Sequence, residues 1–151
     1  MFEDYPTARM NNAKTYGELS LIALDCMRKM PSPLAQVSGP ISTGGSGDMR
    51  ENVNILKKAR IKLEEQGYFI FNNLPFEIPM TRIYESCSGT HKEKNKMILE
   101  EFYSPILESG LIKKIFFIPT WDSSQGSCWE NNKAKELGLE IIYLTEDFMQ
   151  S

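Results

Sequence analysis

A chain of 151 residues with 41% apolar and 25% charged residues has the size and composition of one globular domain with a real core. Its net charge of −3 excludes a general nucleic-acid binder, which needs a basic surplus, and leaves only a local basic patch open. The longest apolar run near the start, "LIAL" at 21–24, is far too short for a bilayer, so no membrane association is expected. The opening "MFEDYPTARM" lacks the apolar segment of a secretory signal, and Cys26, Cys87 and Cys128 have no CxxC spacing. Free thiols in a reducing, cytoplasmic setting are the expectation.

Residues 1–11 read as a loose lead-in. In 13–30, Leu19, Ile22 or Ala23, Cys26 and Met30 recur at helical spacing, which predicts an amphipathic helix ending before "PSP". Residues 1–33 are therefore taken as an N-terminal extension and 34–151 as the main domain. "LAQVSGP", 34–40, predicts a short buried strand stopped by Gly39 and Pro40. A Gly/Ser loop follows at 41–48. Asp48 and Glu51 have capping-box spacing, so a helix should begin near Met49, carry Val53, Leu56, Ala59 and Leu63 inward, and stop at Gly67.

"YFIF", 68–71, predicts a second strand, opening into a Pro-rich loop over 72–80. Residues 79–92 read as loop. A helix is predicted over 92–103, with Pro105 breaking or kinking it. "IFFIP", 115–119, predicts a third strand. A helix over 128–137 stopped by Gly138, and a fourth strand at 140–144, complete the chain. Near-continuous apolar strands alternating with helices predict a three-layer α/β fold of Rossmann or flavodoxin type, with a parallel sheet of four to five strands. Ligands of such sheets bind at the carboxyl ends of the strands, so the loops at 39–48, 72–80 and 119–127 should share one rim.

The Gly-rich loop is neither a P-loop, because no Lys-Ser/Thr follows, nor a dinucleotide fingerprint, because Arg50 stands where the third glycine belongs. It remains either a backbone cradle for phosphate or sugar, or a flexible surface loop. Cys87 and His91 are spaced for a nucleophile pair, but their polar surroundings favour a surface reading. No metal-ligand spacing is present, and no metal or cofactor is expected. Asn72 and Asn73 follow strand two and read first as turn residues. Ser127 and Glu130 have capping-box spacing, which would account for Glu130 without chemistry; Trp121, Ser124 and Gly126 just before it are not so explained.

The pattern Trp121-x2-Ser124-x-Gly126-x3-Glu130, followed by Ala134 and Leu137-Gly138, resembles the signature of nucleoside 2-deoxyribosyltransferase-like proteins. The likeness is greater to a small branch whose first strand ends in Gly-Pro, as "VSGP" does at 37–40. Asn52, fifteen residues before Gly67, and Asn72 or Asn73 after strand two also fit, and the resemblance spans about 34–145. It implies that Glu130 is a nucleophile attacking the anomeric carbon of a nucleoside. It further implies that Ser38, Gly39, Pro40 and Asn52 line the sugar or base pocket, with Asn73 beside it, and that Ser124 and Gly126 contact sugar or phosphate. Trp121 would pack on the ligand or anchor its loop. The partner implied is a small nucleoside or nucleotide, handled by a homo-oligomer.

The chain departs from the family in three places. The first strand lacks the usual aromatic before Gly-Pro. The family Asp before strand three falls at Pro105, with Glu101 and Glu108 each about one turn away. Cys128 and Trp129 replace smaller residues after Gly126. The expectation is an N-glycosidic enzyme working by transfer or hydrolysis, and the alternative is a nucleotide-binding module of the same fold that does not cleave its ligand.

Overall fold

The computed structural model describes residues 5–42 and 44–151; residues 1–4 of the expected lead-in and residue 43 of the expected Gly/Ser loop lie outside the described residues. The chain forms two compact units, one of Met1–Met30 with Asn73–Gly110, the other of Pro31–Asn72 with Leu111–Ser151.

The second unit is the sheet. Strand β1 (Leu34–Ser38), helix α3 (Met49–Glu65), strands β2 (Phe69–Ile70) and β3 (Ile112–Phe117), helix α7 (Gln125–Leu137), strand β4 (Glu140–Tyr143) and helix α8 (Glu146–Gln150) follow in chain order. All strands are parallel, in the order β2-β1-β3-β4. The step from β1 to β2 and the step from β3 to β4 run in opposite directions across the sheet. Right-handed crossovers therefore put α3 on one face and α7 on the other. The fold is the expected three-layer α/β arrangement with a four-stranded sheet. Strand bounds shift by one to three residues: β1 ends before Gly39, and β3 starts earlier, at Ile112.

Each helix of the sheet unit buries one stripe. On α3 it is Asn52, Leu56, Ala59 and Leu63, with Val53 only half-buried. The expected Asp48–Glu51 capping box is simpler in fact, since the Asp48 carboxylate accepts the Arg50 N–H at 2.9 Å. In the sheet, Ile115, Phe116 and Phe117 are buried on both faces of β3, as a strand covered on two sides requires.

The other unit is helical: α1 (Thr7–Asn12), α2 (Tyr16–Arg28), α4 (Glu77–Ser86), α5 (His91–Ile98) and α6 (Ser104–Glu108), with a 3-10 turn at Leu74–Phe76 and a π turn at Leu99–Tyr103. Two expected loops are helical here. The lead-in contains α1, and 77–86 forms α4, whose Pro79 sits in the first turn where a missing N–H is harmless. Pro105 does disturb the helix, but upstream: the chain widens into the π turn and resumes as α6 with Pro105 at its second position. Leu19, Ala23, Met27, Phe76, Phe102 and Ile106 form the core of this unit, and the Ser20 hydroxyl donates to the Phe102 carbonyl at 3.0 Å. Among the described residues no helix is long and apolar enough to cross a membrane.

Candidate functional site

The site begins with where α7 starts. Ser124 is extended (φ −117°, ψ 128°) and its hydroxyl accepts the Ser127 N–H at 3.3 Å, so Ser124 is the N-cap and Gln125 the first helical residue. This corrects the expected Ser127–Glu130 capping box. Both serines are competent caps, but the 3-10 turn Trp121–Ser123 delivers the chain to Ser124 in cap geometry. Ser127 is buried inside the helix, with its hydroxyl 3.0 Å from that of Ser38. Glu130 is then the sixth helical residue, too deep to bind the helix's own free N–H groups.

The Glu130 carboxylate turns instead to β1. It is 7% exposed. One oxygen accepts the Ser38 hydroxyl at 2.6 Å, and the other accepts the Gln36 amide N–H at 2.5 Å. Ser38 has a single hydroxyl proton. Donated to an ionised carboxylate, that proton leaves Ser38 Oγ to accept from Ser127. A hydroxyl relay Ser127–Ser38–Glu130 results, closed on the other side by Gln36. Gln36 and Ser38 are two apart on one strand and so face the same side. Gln36 and Ser127 were not expected as site residues. The available signal was Gln36 itself, an amide in an otherwise apolar central run at same-face spacing from Ser38.

Register extends this face sideways. Ser38 pairs with Phe117 and Phe117 with Tyr143, which places all three in one row. The Trp121 ring lies 5.4 Å from Phe117 and 5.5 Å from Tyr143, centroid to centroid, so it anchors its loop on that row. Buried Asn131, next to Glu130, donates to the Tyr143 hydroxyl at 2.9 Å.

Of the three loops expected on one rim, those after β1 and β3 meet at the carboxyl ends of these neighbouring strands, while the third, from Asn73 on, belongs to the helical unit. The Gly45 N–H donates to Ser123 Oγ at 2.7 Å, and Ser123 Oγ donates to the Thr120 carbonyl at 2.7 Å. Gly44, at φ +76°, lies so close to the Ser123 carbonyl that no Cβ fits. Asn52, 2% exposed, holds the Gly-rich loop from beneath. Its Oδ1 accepts the Ser46 N–H at 3.1 Å and hydroxyl at 2.9 Å, and its Nδ2 donates to the Ile41 and Gly44 carbonyls at 3.2 and 3.1 Å. All of its strong capacity is used within the loop. The Gly-rich segment is thus a tied loop.

The other expected residues sort by what they touch. A Cβ at Gly39 would sit 2.5 Å from the Ile118 side chain and 3.0 Å from Leu56, so Gly39 lets β1 close on β3 and α3. Pro40 is buried, with its ring against Gly45. Ser124 is the cap of α7. Gly126 lies at the second position of α7, and the nearest atom to a Cβ there would be Ser124 Oγ at 3.8 Å, so packing does not require a glycine.

Asn73 belongs to the helical unit, where its carbonyl accepts the Phe76 N–H at 3.0 Å and opens the 3-10 turn. In the same unit His91 is exposed. Its ring nitrogens meet the Tyr84 hydroxyl and, at 2.8 Å, the Asn95 amide, while Cys87 is a half-buried free thiol. Glu108 accepts the Ser104 hydroxyl at 3.2 Å, and Glu101 lies in the π turn. Among the described residues no group of three or more His, Cys, Asp or Glu could hold a metal ion.

Chemically, the site is a buried carboxylate at the carboxyl end of a parallel sheet, fixed at both oxygens by neutral donors. Such a group can attack an electrophilic carbon or take up a proton. Set against known proteins, the chain matches no family model, no curated protein and no solved structure.

Proposed function

We propose that this chain is an N-glycosidic enzyme of the nucleoside 2-deoxyribosyltransferase-like kind, acting on a nucleoside or nucleotide with Glu130 as nucleophile. The supporting observation is the Glu130 carboxylate, buried beside β1 and bound by Ser38 and Gln36 rather than used as a helix cap. In the reaction a carboxylate oxygen bonds to the anomeric carbon as the carbon–nitrogen bond breaks. The bond pair leaves with the base, which takes up a proton, and a glycosyl ester remains on Glu130. A second base or water then attacks the same carbon, either one giving up a proton to solvent, and returns Glu130 as carboxylate. Trp121 borders the site as an aromatic wall, and Gly126 leaves room beside the first turn of α7 for sugar or phosphate. The substrate is small, the setting cytoplasmic, and the working form a homo-oligomer.

The non-catalytic alternative has its own support. Both oxygens of Glu130 are already hydrogen-bonded by protein groups, and Pro105 stands where the resemblance calls for an Asp. One experiment separates the two: incubation with a panel of nucleosides and 5'-nucleotides, followed by chromatography for free base. Base release that disappears in Glu130→Gln is the result expected. Binding without release in the wild type selects the binding module, and neither binding nor release removes both readings.

A further inference from the structure

β1 lies inside the sheet, between β2 and β3. The residue at its midpoint, Gln36, is 1% exposed, and its Oε1 has no hydrogen-bond partner. An apolar side chain would fill this position without leaving a carbonyl oxygen unpaired, so packing gives no reason for an amide. What the amide does is donate to one oxygen of Glu130 at 2.5 Å, while Ser38 donates to the other at 2.6 Å. Two side chains of one rigid strand therefore hold both oxygens of one carboxylate. Ser38 is held in turn by Ser127, at 3.0 Å.

We propose that Gln36 is the positioning residue of Glu130: its neutral amide fixes the carboxylate rotamer and favours its ionised form without supplying a counter-ion. Gln36 has this role on the reading that Glu130 is the nucleophile. A nucleophilic carboxylate must be deprotonated and aimed. A salt bridge would do both but would draw down the charge that attacks, whereas neutral donors leave it in place. The unpaired Oε1 follows from the arrangement. An amide facing an anion must present its N–H, and its oxygen then points at what is left, here the packed interior. Turned over, the amide would set Oε1 against the carboxylate, which only a protonated Glu130 accepts. β1 carries no ionisable side chain. β3 carries Lys113 and Lys114, the latter paired with Glu140 at 3.6 Å, and α7 carries Lys133 three residues beyond Glu130.

The test uses the full chain with carbon-13-labelled glutamate, the Glu130 side-chain signal being identified by its loss in Glu130→Gln. Gln36→Met keeps length and volume without a donor. Its Glu130 signal should titrate about one pH unit or more above wild type, because the ionised form has lost a donor. Gln36→Glu should move the midpoint further, as adjacent carboxyls share a proton. With a nucleoside that releases base, Gln36→Met should lower kcat about 100-fold at nearly constant KM, the usual scale for a misplaced reacting group. The acid limb of the pH profile should move with the NMR midpoint. A merely structural Gln36 would lower the melting temperature and move neither. An unmoved midpoint in Gln36→Met, or in Gln36→Glu should the first not fold, overturns the positioning role whatever the turnover. A moved midpoint with no base release keeps the positioning role and removes the enzymatic reading.

Discussion

Substitution of Glu130 separates its chemistry from its contribution to the fold, because the two partners on β1 respond differently to Gln and to Ala. In Glu130→Gln the new amide oxygen accepts from Gln36. The new NH2 meets Ser38, whose hydroxyl can accept and pass its own proton to Ser127, 3.0 Å away. Every group keeps a partner. Two charge-assisted bonds of about 1.5–3 kcal/mol each become neutral bonds of about 0.5–1.5 kcal/mol each, a loss of about 2–3 kcal/mol in all. Against that, no charge has to be buried, a relief of several kcal/mol on the usual scale. The two nearly cancel, and Glu130→Gln is expected within about 2 kcal/mol of wild type.

Glu130→Ala leaves the Gln36 N–H without its acceptor in a buried site, while the Ser38 hydroxyl can still turn to Ser127. For the one orphaned group the cost is about 1–3 kcal/mol, to which the cavity left by the lost side chain adds. The assays are urea denaturation of both variants at neutral pH and chromatography for free base. Stability is expected in the order wild type and Gln together, Ala well below, with base release lost in both variants. Equal stability of Gln and Ala refutes the clamp geometry. Turnover surviving in Glu130→Gln refutes the nucleophile.

Three further outcomes are expected. Glu77, in α4, has a carboxyl pushed up by burial to about 7 from 4.5, the Tyr103 hydroxyl at 3.4 Å pulling it partly back. The folded state therefore holds this proton more tightly than the unfolded chain. The stability that this group contributes should be full below pH 4.5, be lost between 4.5 and about 7, and stay level above, by at most about 3 kcal/mol. Glu77→Gln should flatten that slope and raise the melting temperature at pH 8 but not at pH 4; an unchanged slope would count against it. Asn52→Ala should cost about 2–4 kcal/mol by orphaning the Ser46 N–H and two carbonyls, and should speed amide exchange at Ser46; protection equal to wild type would show that the loop does not depend on Asn52. Of two glycines, Gly39→Ala should cost about 1–3 kcal/mol by overpacking Ile118, while Gly126→Ala should gain about 0.5–1 kcal/mol from better helix propensity. Thermal melts compare them, and loss of ligand binding in the stabilised Gly126→Ala would mark that opening as part of the site.

The sheet was legible because its signal is local and repeated. Apolar runs such as "IFFIP", bounded by Gly or Pro, give strands, and stripes such as Leu56, Ala59 and Leu63 give the helices between them. The order of the strands was not legible, because right-handed crossovers fix the face each helix covers and not which strands become neighbours. The helical unit was harder. Pro79 and Pro105 are breakers in general, yet one sits in a first turn and the other follows a π turn, and neither circumstance leaves a periodic trace. Thr90 and Glu93 do form a capping box, the same pattern that was expected and is absent at Ser127 and Glu130. The motif alone does not say which of several serines the chain will reach in extended geometry. That is fixed by the turn before it, here the three residues from Trp121 that dock on Phe117 and Tyr143.

That shift of the helix start from Ser127 to Ser124 decides the character of Glu130. At the third helical position a glutamate folds back onto its own N-cap, and its carboxylate is occupied by the backbone it came from. Three residues deeper, the surrounding N–H groups are already bonded to carbonyls of the preceding turn. A carboxylate there has to find donors on another element or be expelled toward water. β1 supplies them at a spacing of two, Gln36 and Ser38, on the face turned toward α7. Neither of these two donors carries charge. A fold that wanted only packing would have placed Leu and Ile at 130 and 36. The retained amide, with its unpaired oxygen, is the measure of how far this part of the sheet has been given over to holding one carboxylate in one place.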